Sequence, residues 1–221
     1  LRELYAAFMR VPQDAVDAVL APAIETLVRD RRRYGEDDWR YWILRADEEF
    51  SSPGGGKDRG LFSIPLLNLI HLRPGQGMYL PAGTLHAYLA GSGVEVMASS
   101  DNVLRGGLTR KHVDVPELLR ILDFEGKRPA AIEPVPAAAP GEWVYGTPAE
   151  EFQLSRIEVD EGRVYRSESA RGAEILMVVE LARRAGARLG FAGGDLKLRR
   201  GAALLVPHGT KYAIEADGKM V

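Results

Sequence analysis

The chain has 221 residues, enough for one large domain or two small ones. Apolar residues make up 46% and charged residues 27%, the balance of an ordinary globular protein, and the net charge of −2 argues against a nucleic-acid groove. Cysteine is absent, which excludes disulfides and thiolate metal sites and leaves His, Asp, Glu and amide side chains as the ligands for any metal.

No apolar stretch reaches the ~18–20 residues of a membrane-spanning helix, so no membrane partner is expected. No signal peptide is visible. The chain opens at Leu1 already inside a helical pattern and stops at Met220-Val221 in a strand-like run. It reads as an internal piece of a longer protein, whose targeting signals would lie elsewhere.

Residues 1–50 read as a helical segment. Leu4, Ala7, Phe8 and Val11 are spaced for one apolar face, and Pro12 breaks it. Ala15, Val16, Val19, Leu20, Ile24 and Leu27 continue at helical spacing, with Pro22 as a kink or junction. Trp39, Trp42 and Ile43 place a stripe on a short third helix, where core packing is the ordinary reading. The short basic run Arg31–Arg33 reads as a solvated helix end. Residues 51–60 hold four glycines and a proline and read as a loop.

The texture then becomes β. Strands are expected at residues 66–72, 78–80, 87–89 and 94–97, with a turn at Pro74-Gly75. A short helix is expected over residues 115–122, with Asp114 as its cap and Pro116 in its first turn. Residues 128–140, rich in Pro and Ala, read as a linker. Further strands are expected at residues 152–159, 163–167, 173–181, 187–191, 203–207 and 211–214, the spacing of a sandwich or barrel.

An internal repeat sharpens that expectation. Residues 72–87 align without gaps on residues 198–213, and seven of the 16 positions are identical. Gly75 and Gly201 fall where a turn needs positive φ, and Pro81 and Pro207 close a strand before a second turn. Duplication of a small β-barrel accounts for this better than chance likeness of two turns.

His86 follows the second turn of the first copy. Its imidazole suits zinc or another divalent transition metal, but one His cannot hold a metal alone. No Gln-x-His, His-x-His or His-x-Glu pair accompanies it. His71 lies in an apolar run, His112 follows Arg110-Lys111, and His208 lies in the other repeat. The Gly-x(5)-Pro-x-Gly-x(2)-His pattern ending at His86 resembles the second metal motif of the cupin superfamily. Tyr212 stands at the matching place in the other copy, so that second unit reads as degenerate and without metal.

Together, Gly60-Leu-Phe-Ser, the stretch from Pro81 to Leu89 and the run from Glu95 to Asp114 resemble the signature of type I mannose-6-phosphate isomerases. Ser100-Asp-Asn-Val-Leu-Arg-Gly-Gly-Leu-Thr is its most specific part. The match is strong over residues 60–120.

The resemblance implies a mainly β protein of cupin (jelly-roll) architecture with two cupin units, the first incomplete in this chain, plus the N-terminal helical segment. The expected division is a helical segment at 1–50, the later part of the catalytic barrel at 51–126, a linker at 127–141 and a degenerate barrel at 142–221. The implied activity is aldose–ketose isomerisation of mannose 6-phosphate and fructose 6-phosphate through a zinc-assisted enediol, in the cytoplasm. Four ligands hold one zinc in that family. His86 matches the last of them, and the other three are absent from this chain, which is therefore expected to be inactive alone.

The resemblance also implies that Arg105 lies over the sugar as a catalytic and substrate-binding residue. Lys111 lines the same cleft, for phosphate or for a sugar hydroxyl. Glu95 is the candidate carboxylate near the reacting carbons. Asp101 and Asn102 are expected to fix the loop that aims Arg105. Arg110 departs from the family, which carries Pro there. The alternative is a non-catalytic cupin module that binds a sugar phosphate or a protein partner. An incomplete first barrel is expected to pair with the missing upstream segment, to self-associate, or to leave its cleft open.

Overall fold

The periodicity of the first fifty residues becomes three helices in the computed structural model, which describes residues 1–51, 56–100, 103–167 and 172–221. These residues fall into two compact units. Unit 1 holds residues 1–74 and 78–131, and unit 2 holds residues 75–77 and 132–221.

In unit 1, α1 (Arg2–Arg10) is followed by α2 (Gln13–Arg29) and α3 (Trp39–Phe50). The buried line of α1 is Tyr5 and Met9, one residue round from the expected stripe, and Leu4 is 46% exposed. That rotation sets Tyr5 and Met9 into a cluster with Leu118, Leu119 and Leu122, while Phe8 stacks on Phe62 at 4.6 Å. Val16, Leu20 and Ile24 form the buried line of α2, four residues apart as a helix requires. The helix runs through Pro22 unbroken. Pro22 costs the Ala18 carbonyl its helical partner, but both residues are exposed, so that carbonyl lies open to solvent. In α3 the Asp38 carboxylate accepts from the Arg40 amide at 2.9 Å, and Trp42, Ile43, Leu44 and Ala46 are buried.

A 3-10 turn (Arg59–Leu66) follows, and Leu61 at its start is fully buried against Val16, Leu20 and Ala46. The short α4 (Val115–Ile121) forms as its sequence directs. Asp114 accepts from the Glu117 amide at 3.0 Å, and Pro116 sits in the first turn, where its missing amide has no helical partner to lose.

The strands expected at residues 66–72, 78–80, 87–89 and 94–97 do not form. Leu66 closes the 3-10 turn, and the rest is irregular chain. Among the described residues between Ile64 and Glu117 none is buried. Leu69, Ile70, Tyr88, Val94, Val96, Met97 and Val103 are all exposed. The sequence carries strand-forming side chains here, but strands need ladder partners, and the described residues of this unit offer none.

Unit 2 is all β. Its strands are β1 (Val135–Pro136), β2 (Glu142–Tyr145), β3 (Leu154–Ile157), β4 (Val164–Arg166), β5 (Glu174–Met177), β6 (Ala187–Phe191), β7 (Gly194–Leu198), β8 (Ala203–Val206) and β9 (Tyr212–Ala216). They form three antiparallel sheets, in the orders β1-β2-β3, β4-β9-β6-β7 and β5-β8. Alternation places Tyr212, Ile214 and Ala216 of β9 and Ala187 and Leu189 of β6 inward. They share a core with Tyr165, Leu198, Val178 and Val206, which joins the four-stranded sheet to the β5-β8 pair. β1, β2 and β7 arise where no strand was expected. The β6–β7 hairpin turns on Ala192-Gly193, since Phe191 pairs with Gly194. Gly77 bridges Ile132, and the Tyr145 hydroxyl donates to the Gly75 carbonyl at 2.8 Å.

Candidate active site

The two copies of the repeat keep their turns. The Thr84 amide donates to the Pro81 carbonyl at 3.2 Å, and the Thr210 amide to the Pro207 carbonyl at 3.1 Å. Gly83 and Gly209 take φ of 80° and 73°, and Gly75 and Gly201 take 87° and 80°. Each of these positions demands a left-handed residue, which glycine supplies without steric cost. The strands differ. In the second copy the segments on either side of the turn are β8 and β9, whereas the matching segments of the first copy, residues 77–80 and 86–90, form no strand.

His86 leaves the first turn exposed. Its Nδ1 lies 2.9 Å from the Thr84 carbonyl, which can only accept, a hydrogen bond in the tautomer whose Nδ1 carries the proton. In that neutral tautomer the lone pair is on Nε2. That is the arrangement in which a backbone carbonyl orients a metal-ligating imidazole. Tyr88, two residues on, meets the His86 ring edge-on at 5.8 Å. Loss of hydration, and next the nearby Glu95 carboxylate, push the Tyr88 phenol above its ordinary pKa. Glu95 in turn lines an open depression of ≈ 490 Å³ with Met97, Ala98, Ser99 and Ser100. Tyr88 thus stands near both His86 and Glu95. Tyr88 was missed in the sequence, although its i,i+2 spacing from His86 is that of two residues on one side of an extended chain.

Arg105 is exposed, and the chain around it is held at every neighbouring position. Leu104 packs on the α1–α4 cluster, as does Leu85 beside His86. The Tyr5 hydroxyl donates to the Gly106 carbonyl at 3.2 Å. A Cβ on Gly106 would lie 2.5 Å from Leu85 Cδ1. Leu85 and Gly106 are therefore in contact, and His86 and Arg105 each stand one residue from that contact. Gly107 has φ of 113° and lies backbone to backbone on Gly60.

Lys111 is exposed, and its amide donates to Thr109 Oγ1 at 3.1 Å. Among the described residues neither Arg105 nor Lys111 has an ion-pair partner, so both charges are free to meet an anion. Arg110 and His112 are exposed as well. Asp101 and Asn102 lie outside the described residues.

Among the described residues no group of three or more His, Asp or Glu side chains comes together to hold a metal ion. His86 offers one nitrogen where a zinc site needs about four donors. The described residues do not make a whole zinc site.

No family model matches the chain. It is 36% identical over 165 residues to the mannose-6-phosphate isomerase of Escherichia coli, a match covering 74% of this chain and 41% of the relative. It is 47% identical over 98 residues to the mannose-6-phosphate isomerase of Salmonella typhimurium, covering 44% and 25% respectively. Among solved structures, Salmonella typhimurium mannose 6-phosphate isomerase bound to substrate and zinc aligns with a TM-score of 0.75 at 29% identity. That alignment covers 99% of this chain and 52% of that one. The matches thus span about a quarter to half the length of these relatives. The mainly β, cupin architecture read from the motif is the architecture it shares with them.

Proposed function

We propose that this chain, a member of the mannose-6-phosphate isomerase family, supplies one wall of an active site that interconverts mannose 6-phosphate and fructose 6-phosphate. The observation that carries this reading is the contact between Leu85 and Gly106. It sets an exposed His and an exposed Arg, the latter without an ion-pair partner among the described residues, on adjoining segments of the same unit.

Aldose–ketose isomerisation moves a proton between C1 and C2 through an enediol, while negative charge grows on the carbonyl oxygen. Arg105 answers the second need, since its guanidinium is always charged and presents planar donors to an oxyanion or phosphate. Lys111, six residues on, adds a compact cation for the phosphate or a sugar hydroxyl. Glu95 is assigned as the carboxylate beside the reacting carbons. Zinc belongs to this reading as the metal bound by the Salmonella relative. His86 would supply one nitrogen to it, with the remaining donors coming from residues that this sequence does not carry. The 221-residue chain alone is accordingly expected to be inactive.

The test is turnover of mannose 6-phosphate by the complete protein with zinc, with and without Arg105→Ala. Removal of an oxyanion donor typically costs about 10²-fold or more in kcat. Turnover within a few-fold of the unsubstituted protein would refute the role of Arg105. A complete protein with neither zinc nor turnover would instead support a non-catalytic module that binds a sugar phosphate or a protein partner.

A further inference from the structure

We infer that Asp58 is a positioning residue for Arg105, holding the backbone turn that follows it; the inference rests on the role given to Arg105 above. Asp58 lies 47 positions upstream of Arg105 in sequence, just before the 3-10 turn. A single carboxylate oxygen, Oδ1, accepts from the Gly60 amide at 2.7 Å and from the Leu108 amide at 3.0 Å. The first bond caps the 3-10 turn. The second serves no helix; it ties two segments 50 residues apart.

The tied segment needs holding. Gly107 and Leu108 are consecutive residues with positive φ, 113° and 49°. Leu108 is not a glycine, so its backbone is strained in this conformation and relaxes unless something fixes the peptide plane before it. Asp58 fixes that plane through the Leu108 amide. The approach is also close. A Cβ on Gly107 would lie 2.6 Å from Gly60 Cα, and a Cβ on Gly60 would lie 2.5 Å from the Leu108 nitrogen.

The pair Gly60 and Gly107 therefore lets two backbones touch, and Asp58 supplies the charged acceptor that keeps them there. Arg105 sits two residues before Gly107, with the Gly106 carbonyl held by Tyr5 between them. Releasing the Leu108 amide loosens the end of this short segment that Leu104 and Tyr5 do not pin, leaving it to the packing of the Leu108 side chain on the Leu61 cluster.

The first arm of the test uses hydrogen exchange on the 221-residue chain. Asp58→Ala should speed exchange at the Leu108 amide by about 10-fold or more, as expected for loss of a hydrogen bond to a charged acceptor, while amides of α2 and α4 keep their rates. Asp58→Asn keeps an oxygen at the same place and should restore most of the protection. An unchanged Leu108 rate in Asp58→Ala overturns the inference, as does a uniform acceleration through unit 1 in both variants.

The second arm is a double-mutant cycle on kcat/KM in the complete protein. A residue that acts only through Arg105 lowers turnover when Arg105 is present and adds no further loss in Arg105→Ala. Losses that multiply overturn the positioning role. If the unsubstituted protein does not isomerise mannose 6-phosphate, the functional reading fails, and the exchange arm still decides whether Asp58 holds the turn.

Discussion

Gly83 and Gly209 occupy the same turn in the two copies of the repeat, yet replacing them by Ala should have unequal cost. Both have positive φ, 80° and 73°, so each Ala pays roughly 1–2 kcal/mol for a left-handed L-residue. At Gly209 nothing lies within 4 Å of the new methyl, and the cost ends there. At Gly83 the methyl would stand 2.8 Å from the Ile121 carbonyl, at the end of α4. That carbonyl cannot withdraw freely, because the Asp123 amide two residues on donates to the Gly83 carbonyl at 3.0 Å. Losing this bond adds about 1 kcal/mol, and the overlap itself adds more. Gly83→Ala should therefore cost about 2–4 kcal/mol, at least ~1 kcal/mol more than Gly209→Ala. Urea unfolding followed by tryptophan fluorescence reads the two sites separately. Trp39 and Trp42 lie in unit 1, and Trp143 is the tryptophan of unit 2. Equal losses, or a larger loss at Gly209, would refute the argument that the carbonyl contact decides the outcome.

Asp38→Ala should destabilise the start of α3 by about 1 kcal/mol at pH 7, read by the urea midpoint of the Trp39/Trp42 signal. The Arg40 side chain, bonded to the Asp38 carboxyl, holds its pKa below the ordinary value. The stabilisation is thus complete above the ordinary aspartate range and is lost as pH falls through the lowered folded value, where variant and parent should converge. Tyr165→Phe removes the hydroxyl that donates to the buried Glu142 carboxylate at 2.9 Å. It should cost unit 2 about 1–3 kcal/mol, measured by the Trp143 transition, and a loss under ~0.5 kcal/mol would show that this bond adds little. Leu61→Ala, at a fully buried position of unit 1, should cost about 2–5 kcal/mol, read by the Trp39/Trp42 transition.

How much was legible in the sequence depended on how local the cause was. Asp114 with Pro116, Gly75 with Gly201 and the Pro81-to-Thr84 turn are set by neighbours within four residues, and all formed as read. The α1 face was read one residue off because Phe8 looks like core until Phe62, 54 residues away, gives it a partner at the edge. Strands at residues 66–97 were read from side chains alone, whereas a strand is made by its neighbours, and here they are lacking among the described residues. The reverse holds for β7. Asp195-Leu196-Lys197-Leu198 has weak strand composition, and pairing with β6 makes it a strand. At the site, motif order marked His86, Glu95, Arg105 and Lys111. Tyr88 and Asp58 went unseen because their importance lies in a ring contact and in a bond across 50 residues, neither of which leaves a local pattern.

The chain passes between its two units three times: after Pro74, after Gly77 and after Ala131. Three residues from the middle of the molecule, Gly75–Gly77, are built into unit 2, where they supply the Tyr145 acceptor and the bridge to Ile132. Unit 2 is therefore not a cassette that a single cut can release or a single recombination event can transplant. A gene fragment starting at Ile132 would leave behind part of what completes it. A protease nicking at Ala131 would leave the halves still threaded together. Modularity visible in the packing is not matched by modularity in the gene, and insertions or fusions are better tolerated at the exposed tips of unit 2, such as Ala192-Gly193, than at the seam.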